Sequence, residues 1–196
     1  MTSLPLPYNL QPVEEESAKL VIEIHSTKSA CAGAAAAYVL RRIAAKAGAY
    51  APGIQERMFF DLQRDFNGRN LDMVGKWFRT NQAELSRLGY RFYARRVAFR
   101  TEGVANWVAA GNGFRGAILP TSGHRLYPSL EQMEGQHAVA LTVDAINGDG
   151  SLKQGLMMID PYPGVPAAVA APPPALDAAH RDNKYAALVV YWAGYS

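Results

Sequence analysis

The chain of 196 residues contains a single cysteine, Cys31. One thiol cannot close an internal disulfide, and with no CxxC pair there is neither a zinc knuckle nor a dithiol redox centre. Charge of one sign is equally scarce. Lys and Arg total 20 against 17 Asp and Glu, a formal net charge of +3. The basic pairs Arg41-Arg42 and Arg95-Arg96 read as ordinary solvated faces, so no nucleic acid is expected as a partner. The 4 histidines are scattered singly, with no HExxH or His-x-His, which argues against a metal enzyme. No cofactor is implied. No apolar run is long enough for a membrane span, because the alanine-rich stretch from Ala30 to Val39 stops at Arg41. The N-terminus, punctuated by Pro5, Pro7 and Pro12, has no basic region followed by an apolar one and is not a secretory signal. The expectation is a cytoplasmic protein, or one exported without a classical signal peptide.

What is present is enough apolar material for a core. Hydrophobic residues make 49% of the chain and charged ones 19%, which excludes wholesale disorder. At roughly 100–200 residues per domain, the reading is an N-terminal arm over 1–16 and one domain over 17–196. Lys19 to Ile24 is apolar and β-branched, a strand. From Cys31 the alanine-rich sequence predicts a helix with Ser29 as N-cap and Gly48 as its stop, small enough in its side chains to be packed on all sides. Apolar residues at helical spacing predict two more helices over 54–90, the second closed by Gly89. Tyr90 to Phe99 reads as a strand and Gly103 to Ala110 as a last helical turn. After Gly111 the stretches Gly116–Pro120, His137–Asp144, Leu156–Asp160 and Ala186–Trp192 read as strands. Asn147-Gly148-Asp149-Gly150 marks a hairpin between the second and third. Six of the 12 prolines fall between Pro161 and Pro174, a loop. Helices first and sheet second is an α+β order. Trp77, Trp107 and Trp192 are expected in the core, and His180 at the surface.

Three polar residues stand at element boundaries. Cys31 opens the helix, where unpaired N–H groups and the helix dipole favour a negatively charged sulfur. His137 opens a strand, and Asp160 closes the next strand of the same hairpin. Neighbouring antiparallel strands can set such a carboxylate beside the imidazole, leaving the other ring nitrogen for the thiol. That is the logic of an activated nucleophile. His124, in a turn-rich stretch, is a weaker competitor for the role of His137. Asn147 to Gly150 lacks the later glutamate of a calcium loop. Gly111 to Gly116 matches a dinucleotide fingerprint only in reversed context, after a helix and before a strand.

Ser29-Ala30-Cys31-Ala32-Gly33, Gly135-Gln136-His137-Ala138-Val139-Ala140-Leu141 and Met158-Ile159-Asp160-Pro161-Tyr162 together resemble papain-like cysteine peptidases. The likeness is greatest to compact bacterial members similar to the bacteriocin-processing peptidases. The resemblance implies a papain-like fold, with N-terminal helices and a central Cys-bearing helix packed on a C-terminal antiparallel sheet. It also implies Cys31 as nucleophile, His137 as general base and then acid, and Asp160 as orienting residue. The family has a glutamine a few residues before the cysteine, which helps form the oxyanion hole; no glutamine lies between Gln11 and Gln55. His25, six residues before Cys31, is the candidate in its place. The expected activity is a thiol-dependent hydrolase or acyl transferase (peptidase, amidase or deamidase) acting on a protein or peptide through a thioester. It would suit a bacterial effector. The alternative is a non-catalytic protein-binding module on the same fold.

Overall fold

The computed structural model describes residues 9–14, 19–24, 31–49, 71–130, 135–146, 152–162, 165–166, 168–170 and 173–196. Strands β1 (Asn9–Glu14) and β2 (Lys19–Ile24) pair antiparallel, Asn9 opposite Ile24 and Glu14 opposite Lys19. Strand β1 lies within the segment read as the N-terminal arm, and its sequence carries no alternating signal because Pro12 interrupts it.

Helix α1 (Cys31–Lys46) follows. Alanine gives it propensity, and its end is set by backbone chemistry. The N–H of Ala49 reaches the carbonyl of Ala44 at 2.8 Å and that of Gly48 reaches Ala45 at 3.1 Å. This is a Schellman closure around Gly48, which sits at φ +66°. Helix α2 (Leu71–Arg87) ends in the same way, with Tyr90 bonded to Leu85, Gly89 to Ser86, and Gly89 at φ +88°. Both predicted stops hold. The expected N-cap Ser29, the first of the two helices predicted over 54–90 and the turn at 147–150 lie outside the described residues.

The remaining elements are β3 (Phe92–Ala98), α3 (Thr101–Ala110), β4 (Arg115–Ser122), α4 (Gly123–Leu126), β5 (Gln136–Ile146), β6 (Leu152–Ile159), β7 (Ala168–Ala170), α5 (Ala175–Arg181) and β8 (Ala186–Trp192). Six strands form one antiparallel sheet in the order β3-β8-β4-β5-β6-β7. The predicted α+β class is observed. Two elements were not foreseen: β7 lies inside the proline-rich loop, and α5 is inserted before the last strand.

The sheet is buried on both faces. Ile118, Ala138, Ala140, Ile159, Leu188 and Val190 pack with α1 and α2. Their neighbours along the strands, Ala117, Leu119, Val139, Leu141, Met158, Ala187 and Val189, pack with Val104 and Val108 of α3 and Leu176 and Ala179 of α5. This period-two division explains why the strands read as continuous apolar runs although the sheet is antiparallel. Trp77 is in the core, while Trp107 and Trp192 lie partly buried against it.

Helix α1 is enclosed along nearly its whole length, from Cys31 to Ala44. Small residues allow this: at Gly116 of β4 an added Cβ would lie 2.7 Å from a methyl group of Val39, closer than side chains pack. Enclosure also overturns the solvated reading of Arg41-Arg42. Both are buried, and the Nε of Arg42 donates to the carbonyl of Val143 at 2.9 Å. Arg95 and Arg96 are exposed, as expected.

Candidate active site

Cys31 is the first residue of α1, so its sulfur sits where the helix start leaves N–H groups without intrahelical partners. The helix head meets the sheet where β4, β5 and β8 present Pro120, Gln136, His137, Ala138 and Ala186. Together with Cys31, Ala32, Leu71, Arg96 and Asn183 these line a cleft of about 400 Å³. His137 enters it from the start of β5, paired with Thr121 of β4. Asp160 follows the last residue of β6, which pairs with β5 from Ala140 opposite Ile159. The expected juxtaposition of strand head and strand tail is what the register produces.

The Nε2–H of His137 donates to Oδ1 of Asp160 at 2.8 Å. Its hydrogen bond to Cys31 therefore falls to the other ring nitrogen, Nδ1. Cys31, His137 and Asp160 are thus brought together in the predicted order. All three are buried, Asp160 completely. Two further donors hold the carboxylate. The hydroxyl of Tyr127 donates to Oδ2 at 2.8 Å, and the backbone N–H of Tyr162 donates to Oδ1 at 2.8 Å. The second is an Asx-turn across Pro161, a side chain bonding its own backbone two residues on. The ring of Tyr162 stands edge-on to that of His137, centroids 6.0 Å apart.

These contacts set the charge of the imidazole. Burial alone opposes its protonation, but the hydrogen bond and charge of Asp160, followed by those of Cys31, outweigh it and raise the His137 pKa to about 10. His137 is accordingly an imidazolium at neutral pH, with both ring N–H groups engaged. Tyr127 is pushed well above the ordinary phenol range by burial and by the neighbouring Asp160, so it stays a donor throughout.

The other candidates fall elsewhere. His25 lies outside the described residues. His124 is exposed, its Nδ1 against the hydroxyl of Ser122 at 3.0 Å, and does not line the cleft. His180 is not at the surface as expected. It is fully buried in α5, its Nε2–H donating to the carbonyl of Ala186 at 2.9 Å and its Nδ1 accepting from the hydroxyl of Thr101 at 3.0 Å. Desolvation lowers its pKa, which keeps it neutral. Among the described residues no group of three or more His, Cys, Asp or Glu is placed to hold a metal ion, and no helix is long and apolar enough to cross a membrane.

Sequence reasoning missed Tyr127, Gln136, Asn183, Leu71 and Arg96. Asp160-Pro161-Tyr162 carried a readable signal for the Asx-turn; nothing local marks Tyr127 as a partner of a residue on another strand. No protein-family model matches the chain, and no curated protein matches it.

Proposed function

We propose that the protein is a thiol-dependent amide hydrolase or acyl transferase of papain-like type, acting on a protein or peptide through a thioester on Cys31. The observation that carries this reading is the geometry of the buried His137 ring, held between the Asp160 carboxylate on one nitrogen and the helix-head sulfur on the other. In the first step the Cys31 sulfur, its own proton having passed to Nδ1 of His137, attacks the substrate carbonyl carbon. The C–S bond forms as the carbonyl π electrons move to oxygen, and the imidazolium together with the N–H groups of the α1 head favours the negative charge involved. Because His137 already carries the proton, it acts first as acid. It gives that proton to the leaving nitrogen as the C–N bond breaks, and a thioester remains. The ring, now neutral, accepts a proton from water or another acceptor as that group attacks the thioester. Collapse breaks the C–S bond and restores sulfur and imidazolium.

One cysteine makes the test unambiguous. Iodoacetamide should add one carbamidomethyl group to the native protein at pH 7, on Cys31, and much more slowly to a His137→Ala variant. Cys31→Ala should abolish turnover of any peptide or amide substrate found. Equal, slow alkylation of native and His137→Ala protein would remove the enzyme and leave a non-catalytic binding module.

A further inference from the structure

One charged side chain of the cleft takes no part in the triad. Arg96 lies near the end of β3, two residues beyond Ala94 and four beyond Phe92, both of which pack on the α1 side of the sheet. Strand alternation therefore carries Arg96 along that same face, to the wall of the cleft that holds Cys31 and His137. Its hydrogen bond runs from Nη1 to Oδ1 of Asp72, in the first turn of α2. That contact pins the guanidinium by one amino group and leaves the Nε–Nη2 edge, the fork that matches a carboxylate in bidentate geometry. Both partners are more than half exposed, Arg96 at 54% and Asp72 at 58%, so the pair is screened and competes weakly with an incoming anion. The other described cleft-lining residues besides the triad members are neutral: Gln136 and Asn183 offer amides, and Ala32, Leu71, Pro120, Ala138 and Ala186 are apolar.

We propose that the cleft selects substrates bearing a carboxylate, seated on the Nε–Nη2 edge of Arg96. The inference rests on the thiol chemistry proposed above and adds the substrate class. The carboxylate has two possible sources, an acidic side chain or the free C-terminus of a peptide.

Acetyl-tripeptide chloromethyl ketones test the first source. A single Glu, or its isostere Gln, is moved along the three positions, and alkylation of Cys31 is followed by mass. Peptides ending in a free carboxylate or in a carboxamide test the second, as protectors of Cys31 against iodoacetamide. The expected result is a preference of about tenfold for the carboxylate member of one pair, equivalent to about 1.4 kcal/mol. That preference should disappear in Arg96→Gln, while labelling by the neutral probes stays within about twofold, which also shows that the variant is folded. Loss in the side-chain arm or in the protection arm names the source. Efficient, His137-dependent labelling with no carboxylate preference in either arm would overturn this inference and leave the thiol chemistry standing. Failure of every probe to label in a His137-dependent way would instead overturn the chemistry itself.

Discussion

Replacing Tyr127 by Phe isolates one hydrogen bond. The ring packs against the cluster formed by the sheet with α3 and α5, and Phe keeps that packing. What disappears is the O–H that donates to Oδ2 of Asp160 at 2.8 Å. Asp160 has no exposure to water, so solvent cannot replace the donor, whereas Oδ1 retains His137 and the N–H of Tyr162. A hydrogen bond to a charged group contributes about 1.5–3 kcal/mol, and leaving a buried acceptor unpaired costs a similar amount. Tyr127→Phe should therefore lower the unfolding free energy by about 1.5–3 kcal/mol at pH 7. With a urea slope of about 1–3 kcal/mol per molar, the midpoint moves down by about 1 M. Freed at Oδ2, the carboxylate also holds the imidazole less firmly, and the alkylation rate of Cys31 should fall by about tenfold, or about 1.4 kcal/mol of barrier. Urea titration and iodoacetamide kinetics on the same samples provide both numbers. A stability loss under about 0.5 kcal/mol with an unchanged alkylation rate would refute the view that Tyr127 holds the triad carboxylate.

Two other perturbations probe the charge and the packing of the site. Nitrogen-15 spectra of the imidazole rings at about pH 8 should show both nitrogens of His137 protonated and a neutral His180 with its proton on Nε2; a neutral His137 there contradicts the ion pair. The linkage has opposite signs at the two residues. His137, raised from 6.5 to about 10, contributes stability that is complete below about pH 6.5 and lost as pH rises through about 10. His180, lowered from 6.5, contributes stability that is present above about pH 6.5 and lost as pH falls through its lowered value. Asp160→Asn removes the charge that outweighs burial, so in that variant the His137 pKa should fall and the alkaline loss of stability should flatten. Gly116→Ala places a Cβ 2.7 Å from a Val39 methyl and 3.4 Å from the carbonyl of Leu141. It should destabilise by about 1–3 kcal/mol and slow Cys31 alkylation by shifting α1. Unchanged melting and alkylation would show that the contact between helix and sheet is looser than described.

What could be read in advance was what chemistry encodes locally. Gly48 and Gly89 end helices because αL closure needs a residue without a Cβ, and that need is visible in one dimension. The strands from Arg115 onward were equally visible, bounded by turn residues. Cys31, His137 and Asp160 could be selected because each stands at an element boundary, and pairing of consecutive strands brings the last two together. Burial decided by another part of the chain was not visible. Arg41 and Arg42 resemble any solvated pair until α1 is enclosed, and His180 looks like a surface residue until Thr101 and the carbonyl of Ala186 satisfy both its nitrogens. Tyr127 approaches Asp160 across 33 positions of sequence, with no spacing rule to announce it. Arg96 reaches the cleft through the pairing of β3 with the last strand, a non-local choice.

Arg42, one of the two buried arginines of α1, bears on the site more directly than its distance from Cys31 suggests. From Cys31 to Arg42 the helix advances about 16 Å, at about 1.5 Å per residue. From His137 to Val143 the strand advances about 20 Å, at about 3.4 Å per residue. Helix and strand therefore run in the same sense over similar lengths and are joined at both ends: by Cys31 with His137 at one, and by Arg42 with the Val143 carbonyl at the other. Between those joints the buried side chains of Tyr38, Val39 and Leu40 and the close fit of Val39 over Gly116 resist sliding of α1 along the sheet. A slide of one residue would carry the sulfur about 1.5 Å from the imidazole, enough to lose a near-attack geometry. Burying a guanidinium is costly in itself. Here it adds a directional contact to that apolar packing, and the two together set the depth to which the helix head enters the cleft.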